Sequence, residues 1–126
     1  MLNRMNKVFV IGLLMVTSSL FGQTRLYCNT KEVCKTTSND TSDCVVYVEN
    51  SIFEIDNKKS VINYISGKIV VTYYIETEIK QDRVDTRKFS THTNAGEKLN
   101  ISIDAKVIQV SSLNYPNTIF IYRISP

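Results

Sequence analysis

Residues 69–79 read IVVTYYIETEI. The odd positions are Ile69, Val71, Tyr73, Ile75, Thr77 and Ile79, and the even ones are Val70, Thr72, Tyr74, Glu76 and Glu78. Successive side chains of a strand point to opposite faces, so one face here is apolar and the other turns charged. The pattern predicts a long strand with one buried face, not a helix. Tyr73 is expected in the core. Tyr74 falls on the half-wet face beside Thr72 and Glu76, where it is either a cross-strand packing residue or an anchor for a binding partner.

The same period recurs downstream. Leu99, Ile101, Ile103 and Ala105 alternate with Lys98, Asn100, Ser102 and Asp104, and a one-residue slip would put that apolar set in water. Residues 44–49 (CVVYVE) are dense in β-branched side chains, and Phe53 and Ile55 alternate with Glu54 and Asp56. Residues 107–111 and 119–124 close the chain. Residues 84–93 are polar and threonine-rich, and are expected to form either an edge strand, which a partner strand could extend, or a strand with solvent on both sides. Residues 60–66 (SVINYIS) are read as a strand, although Asp56 as N-cap and Gly67 just beyond the end would also fit a short helix.

Turn chemistry separates these runs at 56–58 (DNK), 66–68 (SGK), 81–83 (QDR), 94–96 (NAG) and 114–117 (NYPN). The fold class is therefore all-β: a single antiparallel meander of six to eight strands forming a small barrel or a sandwich. Neither a βαβ unit, an internal repeat nor a second domain is visible.

The N-terminal end has a different character. Arg4 and Lys7 precede the apolar run 8–16 (VFVIGLLMV), followed by Thr17, Ser18 and Ser19. A basic start, a short apolar centre and small residues after it form a secretory signal peptide. The run falls short of the roughly 20 residues needed to span a bilayer, so no membrane span is expected after cleavage. Cleavage is placed after Gly22, with Ser19 as the second choice; Tyr27 before Cys28 argues against a lipidated cysteine. The expected organisation is a signal peptide over 1–22, a polar cysteine-containing segment over 23–43, and an antiparallel β domain over 44–126. The product is periplasmic or secreted. The whole chain of 126 residues carries a formal charge of +3, and losing Arg4 and Lys7 takes it to +1. That balance argues against a nucleic-acid partner, which calls for clustered Lys and Arg on one face.

Export puts Cys28, Cys34 and Cys44 in an oxidising compartment, where one bridge and one leftover thiol are expected. Cys34–Cys44 is favoured because it ties a polar loop, 36–43 (TTSNDTSD), to the start of the first strand. Cys28 is the alternative partner for either. No close CxxC pair occurs and the lone His92 is distant, so no metal site or cofactor is expected.

Catalytic signatures are absent too. Glu76 and Glu78, two apart on one strand, point the same way and form the one paired-carboxylate candidate, but a solvated strand face has the same composition. Asp82 and Asp85 lack calcium-loop spacing. His92, among Ser90, Thr91 and Thr93, has no nucleophile or orienting acid nearby in sequence. Asn39 and Asn100 each begin a glycosylation sequon, which matters only in a eukaryotic secretory pathway.

The leader ending Leu20-Phe21-Gly22-Gln23, with Phe53-Glu54-Ile55-Asp56, Tyr73-Tyr74-Ile75 and Asn94-Ala95-Gly96, is similar to those of many small exported β-rich proteins of Gram-negative bacteria. That resemblance spans about half the chain beyond the leader. It implies an antiparallel β domain and transfers no functional residue.

Two classes of function follow. One is an exported, non-catalytic module that binds a protein or a small ligand. The other is an inhibitor or immunity-type protein against an envelope hydrolase, presenting the loop 112–118 (SLNYPNT) with Tyr115 and Pro116 at its centre.

Overall fold

The computed structural model describes residues 23–37, 42–79 and 86–126. The signal-peptide reading of 1–22, the tip of the 36–43 loop, and the turn at 81–83 with Asp82 and Asp85 lie outside the described residues. Eight strands run in chain order: β1 (Gln23–Thr36), β2 (Ser42–Asp56), β3 (Val61–Ser66), β4 (Ile69–Ile79), β5 (Arg87–His92), β6 (Lys98–Ile103), β7 (Val107–Ser112) and β8 (Thr118–Ile124). Each pairs antiparallel with the next, and β8 pairs back onto β1 to close a barrel. The meander is thus a barrel and not a sandwich. Residues 61–66 are a strand, as read, and not a helix.

Closure depends on a strand that the polar composition of 23–43 concealed. That segment is not an appendage: Gln23–Thr36 is β1, and Ser42 and Asp43 already belong to β2. The alternation is present, as Thr24 and Cys28 are buried and Leu26 packs against the core, but two of the three residues carrying it are not strong apolar markers. A second correction concerns β5. It is hydrogen-bonded to β4 on one side and to β6 on the other, so 84–93 does not supply a free edge. Phe89 and Thr91 face the core, and Thr91 Oγ1 donates to the Leu99 carbonyl at 3.0 Å, which lets a hydroxyl sit where only 1% of the residue is exposed.

The core is the barrel interior. Phe53, Ile55, Ile62, Phe89, Ile101 and Ile108 are the largest fully enclosed apolar side chains. Phe53, Tyr64 and Tyr122 meet with centroids 4.9–5.4 Å apart in tilted and edge-on geometries, which suit the ring quadrupoles. Tyr73 and Ile75 pack against this cluster, as the alternation predicts. The two ends of that same apolar face, Ile69 and Ile79, are exposed. Their exposure follows from the stagger of the barrel: β3 covers β4 only from Ile69 to Tyr74, and β5 only from Tyr74 to Ile79.

Outward positions of β5, β6 and β7 carry Lys88, Ser90, His92, Lys98, Asn100, Ser102, Gln109 and Ser111, with Val107 the one apolar residue among them. A membrane-spanning barrel has the opposite arrangement, apolar outside and polar within. A polar ladder crosses four strands on this outer surface. Arg25 Nε donates to Glu54 at 2.8 Å, Asn63 Nδ2 to Glu54 at 3.3 Å, and Thr72 Oγ1 to Asn63 Oδ1 at 2.8 Å. These four residues are register partners, so the ladder helps to fix the pairing that the buried face requires.

The β2–β3 turn is fastened by Asp56. Its Oδ1 accepts from the backbone N–H groups of Lys58 and Lys59, both at 3.1 Å, beside Ser60 at φ 55°. The Lys59 N–H above all, with help from Gln23 and Lys58, holds the Asp56 carboxyl below its usual range. A carboxylate favoured in the native state contributes stability above its unfolded value, and loses it as pH falls through the lower native value. The urea midpoint is therefore expected to fall as pH drops below about 4, with a smaller fall for Asp56→Asn. Identical acid profiles for the two proteins would remove Asp56 from the account.

Candidate functional site

The site begins with a mismatch of strand lengths. β2 has 15 residues and β3 only 6, so β3 pairs with β2 from Asp56↔Val61 to Ile52↔Ile65 and then ends at the Gly67–Lys68 turn. At the same level, the register of β1 shifts against both β2 and β8 between Cys28 and Thr30. A shift of this kind bends a strand and opens its surroundings. Below the bend, β1 stays paired with β8 in the barrel wall, while β2 runs on past the end of β3 with β1 as its neighbour.

A cleft of about 360 Å³ lies at the bend, lined by Tyr27, Cys28, Asn50, Ser51, Ile52, Ile65, Gly67 and Ser125. Most of the surface is apolar. Gly67 turns the chain beside it at φ 60°, a conformation that L side chains rarely adopt. Ser125 is held there by its N–H donating to the Tyr27 carbonyl at 2.7 Å. Among the described residues, Ser51 Oγ is the one buried side-chain polar atom without a hydrogen-bond partner. A buried hydroxyl left unpaired costs about 1–3 kcal/mol, so its persistence calls for an explanation.

Behind the cleft stands a polar cluster set into the aromatic core. Tyr64 donates its hydroxyl to the Glu49 carboxylate, and Tyr64 and Tyr122 are themselves hydrogen-bonded. Burial pushes the Cys28 thiol up to about 11, and the Glu49 charge adds to that. Burial pushes Tyr64 up to about 12, with Glu49 accepting from the neutral phenol. Tyr122 and Tyr73 are raised mainly by burial as well. All four groups are thus kept protonated at neutral pH. A thiolate nucleophile or a phenolate base is the opposite of what this environment favours.

The cysteines pair as the spacing suggested. Cys34 and Cys44 are directly opposite in the β1–β2 register, with Cα atoms 4.0 Å apart, and form the disulfide; Cys28 is the free, buried thiol. Glu32 lies beside the bridge, but both sulfurs are consumed in it and no longer serve as metal ligands. A disulfide suits an oxidising compartment.

The remaining candidates are dispersed. Tyr74 is half-buried and stacked on its register partner His92, with centroids 5.5 Å apart. Glu76 and Glu78 do not work as a pair. The register of β4 shifts between Ile75 and Thr77; Glu76 meets His92 Nδ1 at 2.9 Å and Lys98 Nζ at 3.9 Å, while Glu78 binds Arg87 at 2.8 Å. The two carboxylates are thus held by different partners, and the Arg87 guanidinium holds Glu78 below its usual range. Tyr115 is 65% exposed at the tip of an ordered loop, where Tyr115 N–H donates to the Ser112 carbonyl and Thr118 N–H to the Tyr115 carbonyl. Pro116 sits at the same tip.

Sequence reasoning missed the cleft. Ser51 interrupts an apolar stretch and reads as a break between two strands, when it is an inward position of one long strand. Compared with known proteins, the chain matches no protein-family model, no curated protein and no solved structure.

Proposed function

We propose that this is an exported, non-catalytic β-barrel domain that binds a small, largely apolar ligand in the cleft at the root of the β1–β2 hairpin. The observation that carries this reading is a mostly apolar cleft lined in part by Ser51, whose buried hydroxyl has no hydrogen-bond partner. Binding sites combine apolar walls with few, well-placed polar groups, and a ligand acceptor or donor would complete the hydrogen bonding of Ser51. The leader sequence and the Cys34–Cys44 bridge support export. The protonated, buried state of Cys28, Tyr64 and Tyr122 supports a non-catalytic role.

The test compares the wild type with Ser51→Ala, each purified from its own host. Wild type is expected to carry a non-covalent mass in native mass spectrometry, and Ser51→Ala to retain at least about tenfold less of it. The variant should be as stable as wild type or slightly more so, since it removes an unsatisfied group. Equal retention by both proteins would mean that Ser51 does not recognise the ligand.

A second reading is favoured by the Tyr115 loop. An ordered loop presenting an exposed aromatic ring binds with little ordering cost, which suits an inhibitor or immunity-type protein against an envelope hydrolase. This reading requires Tyr115→Ala to weaken inhibition of a cell-wall hydrolase or protease.

A further inference from the structure

The β1–β2 hairpin carries a surface that the barrel does not use. Val45, Val46, Tyr47 and Val48 are all more than half exposed, and Val48 is 90% exposed. Beyond Ile52, β2 pairs with β1 alone, so among the described residues its other edge is open from Ser42 to Asn50. No Lys, Arg or Pro interrupts 42–50. Exposed edges are ordinarily blunted by such residues, because an open apolar edge recruits another strand. The Cys34–Cys44 bridge holds the hairpin in one register, so the edge is presented rigidly.

The bridge also fixes the hydrogen-bonding phase of this edge. Opposed residues with Cα atoms close to 4.5 Å apart are non-hydrogen-bonded pairs in an antiparallel ladder, and Cys34 and Cys44 are 4.0 Å apart. The N–H and C=O of Cys44 therefore point away from β1, and so do those of Val46 and Val48. A second copy of the same edge, related by a two-fold axis, offers the same groups in the same phase. Charge selects among the registers. Centring the pair on Val46 would set Asp43 opposite Glu49 of the other copy, twice. Centring it on Tyr47 would run Ser42 against Ile52, a position already taken by Ile65 of β3. Centring it on Val45 sets Cys44 opposite Val46, Asp43 opposite Tyr47 and Ser42 opposite Val48, with neither conflict.

We infer that the protein forms a two-fold homodimer through antiparallel pairing of the open β2 edges, centred on Val45, which joins the two barrel walls into one continuous sheet. The contact is isologous, so it closes after two copies and does not propagate. An interface this narrow falls below about 1,200 Å² and should dissociate in the micromolar range.

Sedimentation velocity of the cleaved, oxidised protein from about 1 to 100 μM should show a monomer–dimer equilibrium. Val46→Pro removes an N–H that points away from β1 along the open edge, leaving the β1 ladder intact, and should raise the dissociation constant by at least about 100-fold with an unchanged near-UV spectrum. Val46→Lys, which keeps the N–H and adds a charge to the edge, gives the same loss should the proline variant fail to fold. Under oxidation in a Cys28→Ser background, Val45→Cys should cross-link two chains and Tyr47→Cys should not. A monomer throughout the concentration range overturns the inference, as does a dimer unaffected by either Val46 change. Cross-linking at Tyr47→Cys in place of Val45→Cys overturns the register.

Discussion

Phe53→Ala is expected to destabilise the barrel by about 3–5 kcal/mol, measured as a shift of the urea midpoint at constant slope. Phe53 is 0% exposed and touches both Tyr64 and Tyr122, with centroids at 5.2 and 4.9 Å. Truncating it removes apolar burial and two ring contacts together. It also leaves a void next to the Tyr64–Glu49 hydrogen bond, where collapse is resisted because both phenols are already tethered. Against a total of about 5–15 kcal/mol for a domain, this is a large fraction. A cost below about 1 kcal/mol would mean that the three rings do not form the centre of the core.

The second large effect is loss of the Cys34–Cys44 bridge. The cysteines are 10 residues apart, and closing a loop of that size stabilises by about 2–3 kcal/mol through the unfolded chain. Cys34→Ser with Cys44→Ser should lower the urea midpoint accordingly. Its native-state signature should be local: β1 remains paired with β8 down to Lys35↔Thr118, whereas β2 below Ser51 has β1 as its one neighbour among the described residues. Limited proteolysis should therefore cut first within 42–50 in the double variant and spare β6 and β7. Unchanged stability and an unchanged cleavage pattern would show that the hairpin is held by its ladder alone.

Much of the fold was legible where burial is one-sided. In β4 and β6 the alternation assigns faces directly, because every second residue is a strong apolar or a polar side chain. The Cys34–Cys44 pairing was legible because a bridge there ties the polar loop 36–43 to the start of the strand read from Cys44. Legibility failed where the code is written in weak residues. Thr24, Leu26 and Cys28 carry the inward face of β1 among Arg25, Lys31 and Glu32, so the closing strand read as a polar tail. Residues 84–93 read as an edge or a strand wet on both sides because hydroxyls line them, although the Thr91–Leu99 hydrogen bond makes one of those hydroxyls a core group.

The cleft was invisible for a further reason. It arises where a 15-residue strand outruns a 6-residue neighbour beside a register shift, a relation between strands and not a property of any one stretch. Glu76 and Glu78 show the same limit. Spacing within a strand places two carboxylates together, and one shift against β5 gives them to different partners.

The most direct test of the central claim is the native mass of the exported protein, purified from its own host without reductant. The expected species is the chain cleaved near Gly22, less two hydrogens for one internal bridge, carrying an added mass that leaves on denaturation. A bare chain mass, unchanged by denaturation and showing no added species, would contradict a ligand-binding barrel and leave the cleft without an occupant.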